Sequence, residues 1–432
     1  MHIIQMVNSN DFLQNALKLA VLIIDKLLYK VYAFRQKNRQ SWSTIQSSAL
    51  NFSKHQAFVI KKHSCFVWKH MKIIKMLNKS KTPSDSNVYK PSTTVQSEMQ
   101  SICLKYEKQR EKQPLMNDFR PVSVPLIVFD YPVQVNKHLF EISTLIAEWV
   151  QQYGSVFHFS TTALYDFLLV AAYAYPEASF DQLFSLSKLV LWGFAIDDHV
   201  LEKFTSRPEI EAYTKRFLHL FKASKRDPAK RFSIYCELLI DIFQDLRPYL
   251  SAGQQKRFLD EIRRYFDGTI EELTFQDQPE LTMEEFIGIR ERCVAGGVYE
   301  LMVEMVCRVD MSAYERCQLF VRNKLAINHL LGWQNDLYSY NKERFHQTPT
   351  NLVWLVQRQQ QVTTEQAVLY VRQKIQSEKQ IFDQTSFRLI NEFPEDMTME
   401  RYISGLRFWI QANLKSSIFC PRYYKYNKFW CF

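Results

Sequence analysis

Nine consecutive residues, Asn335 to Glu343, carry the densest chemistry in the sequence: Asn-Asp-Leu-Tyr-Ser-Tyr-Asn-Lys-Glu. The residues leading into them (Lys324, Leu325, Ile327, Leu330, Leu331, Trp333) recur at helical spacing, which predicts an α-helix. On that helix Asn335, Ser339 and Glu343 step by four, each about 40° past a full turn and about 6 Å further along. An amide carbonyl, a hydroxyl and a carboxylate therefore form one stripe. An all-oxygen donor set suits hard Mg²⁺ far better than zinc. Lys342 lies seven residues after Asn335, about 20° off the same face, and can offer a cation to an anion held by the metal. The pattern implies a site that handles phosphate. Taken alone, the nonapeptide also reads as a solvated helix face of mixed charge.

A second acidic cluster stands upstream, Asp197-Asp198-His199-Val200-Leu201-Glu202. On a straight helix Phe194, Asp197 and Leu201 share a face, while Asp198 aligns with Glu202 on a neighbouring one. This predicts Asp197 as the inward ligand with Phe194 one turn deeper, Asp198 free to pair with a cation, and three carboxylates unable to grip one ion equally. Together the two clusters resemble the metal motifs of class I terpene synthases, the aspartate-rich motif and the Asn/Ser/Glu triad, in their microbial form. The resemblance implies an all-α fold, a single helical bundle around a central active-site cavity. It also implies metal ligation by Asp197, Asp198, Glu202, Asn335, Ser339 and Glu343, with three Mg²⁺ ions expected and Mn²⁺ as the alternative metal.

Two further stretches fit the same family. In Arg290-Glu-Arg292-Cys293-Val294-Ala295-Gly296-Gly297, paired glycines inside a helical pattern permit a break. Resemblance makes Arg290, or alternatively Arg292, the arginine that senses diphosphate, with Val294 just after it at the pocket. Near the C-terminus Pro421-Arg422-Tyr423 falls where the family has its terminal Arg-Tyr pair, implying a diphosphate clamp in which Arg422 bridges to Asp198. Ser416 is a departure, because many microbial members carry a pocket tryptophan there. Trp409 lies too early in the chain to replace it directly, so that wall of the pocket is expected to differ. The resemblance assigns diphosphate binding to Arg290, Asn335, Lys342, Arg422 and Tyr423, and catalysis to Asp197, Arg290, Lys342, Arg422 and Tyr423. Phe194, Val294, Tyr299, Trp333 and Ser416 are the pocket candidates, with Phe167 a weaker one. Aromatic faces suit a pocket that must not trap a carbocation.

The elements that must position these residues are helical. Few glycines and prolines (nine and fourteen in 432 residues) and long apolar-periodic segments point to an all-helical protein. Helices are predicted over 137–152, 161–175, 180–202, 209–223, 229–246, 252–275, 283–309, 313–339, 364–393 and 398–415. The net charge of +10 is misleading about the main domain. Residues 1–90 hold fifteen Lys/Arg against three Asp, a balance of +12, which leaves −2 for 91–432. Basicity confined to one end excludes a nucleic-acid reading drawn from the overall charge.

Residues 1–98 read as a basic, partly amphipathic extension, 99–121 as a linker and 122–432 as the catalytic domain. Residues 12–33 are too interrupted by charge to span a bilayer, and the charges follow the apolar residues instead of preceding them as in a signal peptide. The extension is a membrane-surface or targeting segment, a disordered tail, or sequence upstream of a true start at Met99 or Met116. Eight cysteines without a C-x-x-C pair fit a reducing compartment, hence a cytoplasmic protein.

The expected reaction is ionisation of an allylic prenyl diphosphate and cyclisation of the cation, with farnesyl diphosphate to a sesquiterpene as the default. Geranylgeranyl diphosphate to a diterpene is the alternative. No nucleic-acid partner is expected, membrane contact only through the extension, and either a monomer or a homodimer. Chain-elongating and squalene-synthase-like enzymes would need a second aspartate-rich motif where Asn335, Asp336 and Ser339 stand. A non-catalytic scaffold would leave the five residues Asp197, Asn335, Ser339, Glu343 and Arg422 without a reason to co-occur.

Overall fold

The computed structural model describes residues 120–432 apart from 154–156, 158–160, 225–231, 276–280, 347–349, 394–396, 425 and 431–432. The expected extension over 1–98 and most of the linker lie outside the described residues. What is described is all-helical, save for one pair of three-residue strands. In order it runs β1 (Ser123–Pro125), α1 (Leu139–Gln152), α2 (Thr161–Ala174), α3 (Phe180–His199), α4 (Arg207–Lys222), α5 (Ile234–Leu246), α6 (Ala252–Phe275), α7 (Met283–Cys293) and α8 (Gly296–Cys307). There follow α9 (Gln318–His346), α10 (Leu352–Gln360), α11 (Thr364–Glu392), α12 (Met397–Phe419), the short α13 (Pro421–Tyr424) and β2 (Lys428–Trp430). Among the described residues no helix is long and apolar enough to cross a membrane.

Local chemistry explains where several helices start. Ser179 with Gln182, Thr282 with Glu285, and Thr363 with Gln366 form reciprocal capping boxes at the N-termini of α3, α7 and α11. Helix α3 over most of its length and the 326–341 stretch of α9 are buried nearly all round, as elements at the centre of a bundle must be. Helix α9 packs against α7, α10, α11 and α12, while α2 lies along α12 and α6 along α7. Fully buried Phe217, Phe258 and Phe266 fill the space between α4 and α6, each contributing about 1.5–3 kcal/mol by removal from water.

Boundaries differ from expectation in ways that bear on function. The predicted 283–309 helix is two helices, because Ala295 takes a left-handed conformation (φ 57°) between them. The glycines that follow do not supply the break. They begin α8, where a Cβ on Gly296 would overlap the Asn328 side chain and one on Gly297 that of Glu261. Helix α9 runs beyond Ser339 to His346, so the whole triad sits inside it.

Helix α10 and the parallel β1–β2 pair were not anticipated. Ser123 pairs with Lys428, Val124 with Phe429 and Pro125 with Trp430. On the side of α9 away from the triad, the Asn341 side chain binds both backbone groups of Val122 (2.9 and 2.8 Å) and donates to the side-chain Oδ1 of Asn427 (2.9 Å). Gln411, buried within α12, donates to the carbonyls of Phe129 and Tyr131 and pins the extended segment after β1.

Candidate active site

A cavity of about 230 Å³ opens among α3, α6, α7, α8, α9 and α12. From α9 it is lined by Leu331, Asn335, Ser339 and Glu343, the four-residue steps of one face, together with Lys342. Across it α3 presents Val190, Phe194 and Asp197, and the turn beyond α3 presents Glu202. Arg290, Cys293, Val294 and Tyr299 line it from α7 and α8, and Ser416, Arg422 and Tyr423 from the C-terminal helices.

The acidic cluster is closer-knit than a straight helix allows. Helix α3 ends at His199, and a 3-10 turn over Leu201–Lys203 swings Glu202 back toward the helix end. One carboxylate oxygen from each of Asp197, Asp198 and Glu202 lies within 4.8 Å of the others. The expectation that the three could not grip one ion equally assumed a straight helix through Glu202, and the tightened turn removes that premise. Burial, with the Glu202 and Asp198 charges beside it, pushes the Asp197 carboxyl up to about 8. A cluster of hard, acceptor-only oxygens that repel one another is the donor set a divalent cation relieves.

Cations face these groups. Arg422 bonds Asp198 and lies 3.9 Å from Asp197. Lys342 Nζ is 3.8 Å from Glu202, linking the triad helix to the acidic turn. Burial and neighbouring Arg422 act against the charge on Lys342, but Glu202 and Glu343 outweigh them and raise its pKa. Asn335 donates to the Tyr423 phenol oxygen at 3.1 Å. Of the two candidate arginines, Arg290 is in the cavity, whereas Arg292 pairs with Glu271 outside the lining.

Residues not singled out from sequence hold Arg290. Asp336, fully buried, accepts from it at 2.6 Å and Glu272 at 3.2 Å. Asp336 was inside the nonapeptide but points about 100° away from Asn335, toward α7. Glu272 follows Glu271 near the end of α6 with no motif to mark it.

The remaining wall is aromatic. Phe194 stacks on Phe167 (centroids 4.3 Å apart), which stands behind it and not in the lining. Tyr299 stacks on Trp409 at 4.4 Å, and both line the cavity. Trp409, seven residues before Ser416 on the same face of α12, lines the cavity without taking the place of Ser416. One expectation is corrected: Trp333 does not reach the cavity, since two residues before Asn335 it lies about 200° round α9, buried against His329 (centroids 4.4 Å).

Residues 188–380 match the sequence profile described as terpene synthase family 2, C-terminal metal binding. Germacrene A synthase of Nostoc punctiforme is 23% identical over 320 residues, covering 70% of this chain and 95% of the relative. (+)-T-muurolol synthase of Roseiflexus castenholzii, described as cyclising (2E,6E)-farnesyl diphosphate, is 25% identical over 311 residues, 69% of this chain and 93% of its own. The crystal structure of germacradien-4-ol synthase from Streptomyces citricolor matches with a TM-score of 0.60 at 18% identity, over 68% of this chain and 99% of that one. At that identity the likeness carries the all-helical fold.

Proposed function

The chain belongs to the class I terpene synthases, and from that membership we propose that it is a Mg²⁺-dependent cyclase converting farnesyl diphosphate into a sesquiterpene. The observation that carries the reading is the convergence on one cavity of acidic groups (Asp197, Glu202, Glu343), cationic groups (Arg290, Lys342, Arg422) and the aromatic side chains Phe194, Tyr299 and Trp409. Asp197, Asp198 and Glu202 would hold metal from one side, and Asn335, Ser339 and Glu343 from the other. Bound there, Mg²⁺ supplies Lewis-acid stabilisation of the charge on the departing diphosphate. We take the number of ions as three.

The chain's own residues do the rest. Arg290, Lys342 and Arg422 bring N–H donors to the diphosphate oxygens, in a cavity where such bonds are worth more than in water. Tyr423, whose oxygen accepts from Asn335, can donate its own hydrogen to the same anion. The aromatic wall keeps water from the allylic cation and turns π-faces toward it. The name of the Roseiflexus relative supports the fifteen-carbon substrate. Thiols that are free among the described cysteines fit a reducing compartment, and cytoplasmic action is part of the proposal.

The test is to incubate the full chain and Mg²⁺ with C10, C15 and C20 prenyl diphosphates and analyse the volatile products. A cyclic C15 hydrocarbon or alcohol is expected. Turnover of the C20 diphosphate alone would move the reading to a diterpene cyclase, and turnover of none would overturn it.

A further inference from the structure

We propose that Asn351 is a positioning residue that sets the Glu343 carboxylate for metal binding, a proposal that rests on the reading above. Asn351 is buried, with its amide nitrogen 2.7 Å from Glu343 Oε2, 2.7 Å from the Asp336 carbonyl oxygen and 3.5 Å from Ser339 Oγ. Its amide oxygen accepts from the Val353 backbone N–H at 2.9 Å, capping α10. The orientation of the amide follows from its partners. A flipped amide would set an oxygen against a carboxylate and a carbonyl, and a nitrogen against an N–H.

Glu343 has most to gain from such a partner. It sits one turn from the end of α9 on a side chain with three rotatable bonds, whose freedom must be lost before it can ligate. With Oε2 held by Asn351, the orientation of the carboxylate is fixed at the edge of the cavity it lines. The same junction steadies the neighbouring cation. The Leu352 backbone N–H at the start of α10 donates to Asp336 Oδ2 (3.2 Å), and Asp336 holds Arg290. One asparagine thus ties the last ligand of the triad, the start of α10 and the carbonyl of the residue that anchors Arg290. Groups that orient metal ligands through hydrogen bonds typically matter 10–100-fold in metal affinity.

Two substitutions separate positioning from capping, because Asp and Ser both cap helices well. Asn351→Asp keeps the cap but sets a carboxylate against Glu343, and Asn351→Ser keeps the cap but is too short to reach it. Mn²⁺ binding to the full chain with inorganic diphosphate, followed by electron paramagnetic resonance, gives the direct readout, alongside the melting temperature without metal. Weakening of about 10–100-fold is expected in both variants, with the half-saturating Mg²⁺ concentration for turnover rising in parallel. In a Glu343→Ala background Asn351→Ser should cost no further metal affinity, a comparison unaffected by any general loss of stability. Unchanged Mn²⁺ affinity in both variants, or an equal loss with and without Glu343, would show a helix cap and nothing more. Failure of the unsubstituted chain to bind Mn²⁺ would instead overturn the metal reading itself.

Discussion

Trp409 and Ser416 stand on one face of α12, almost two turns apart, and both line the cavity. The tryptophan is stacked on Tyr299, while the serine hydroxyl turns back to the Asn413 carbonyl at 2.9 Å. This face of α12 therefore turns an aromatic ring to the cavity at Trp409 and none at Ser416. Ser416→Trp should supply one, worth about 0.5–2 kcal/mol toward a nearby cation, and reduce the space. We expect an altered product profile and poorer use of longer substrates, with Mg²⁺ dependence intact. Identical profiles from both proteins on one C15 diphosphate would sink the idea.

Loss of a metal ligand is expected to be far more severe. Asn335→Ala or Glu343→Ala should lower turnover roughly a hundredfold or more, since the group each helps to hold stabilises the leaving charge. EDTA should abolish turnover by the unsubstituted chain. Activity that survives chelation would contradict the assignment.

Glu272 competes with any anion for Arg290. Its carboxyl lies 3.2 Å from the guanidinium and lines the same cavity. Burial raises its pKa, Arg290 opposes that, and Glu343 adds to it. Glu272→Gln removes a negative charge facing the diphosphate end. Affinity for inorganic diphosphate, measured by calorimetry with Mg²⁺, should rise by about tenfold, equivalent to about 1.4 kcal/mol. A fall would mean that Glu272 is needed to hold Arg290 in place.

His329 makes stability depend on pH. Its ring nitrogens lie 2.8 Å from Glu291 of α7 and 3.1 Å from Glu378 of α11, with Arg322 on Glu378 and Lys374 over the adjoining Trp333 ring. Burial alone would lower its pKa, but the hydrogen bond to Glu291 and the nearby charge of Glu378 outweigh it, so the folded value lies above the ordinary 6.5. A group raised on folding stabilises fully below its unfolded pKa, and that contribution disappears as pH rises through the folded one. His329→Gln should therefore cost on the order of 2 kcal/mol at pH 6 and much less at pH 9. Equal losses of melting temperature at both pH values would refute the charged pairing.

The basic segment is expected to be dispensable for chemistry. Deleting 1–98 should leave turnover within a few-fold and alter only solubility or membrane association. A truncated chain that does not fold would move the domain boundary.

Where spacing alone decides direction, the sequence was a sufficient guide. Leu331, Asn335, Ser339 and Glu343 line the cavity because four-residue steps must share a face. The same rule should have placed Trp333 on the far side of α9 and Trp409 beneath Ser416. Glu202 was misjudged for a different reason: the helix stops at His199, and nothing in Asp-Asp-His-Val-Leu-Glu marks the change to a tighter turn. Asn351 before an apolar run does carry an N-cap signal. That its amide also reaches Glu343 depends on how the chain returns between α9 and α10, which no local pattern encodes.

The β1–β2 pair has a consequence for how the protein is made. Its strands are about 300 residues apart in the chain, so β1 leaves the ribosome long before its partner exists. Closing so large a loop is slow and entropically costly, and the polar groups of Asn341 stay without their partners at Val122 and Asn427 until it closes. The segment carrying Arg422 and Tyr423 lies between α12 and β2, so this pairing fixes its far end and adds to its contacts with Asp198 and Asn335. Nascent chains stalled before residue 428 should therefore hold a formed bundle with an unfinished diphosphate end, and acquire activity only on release.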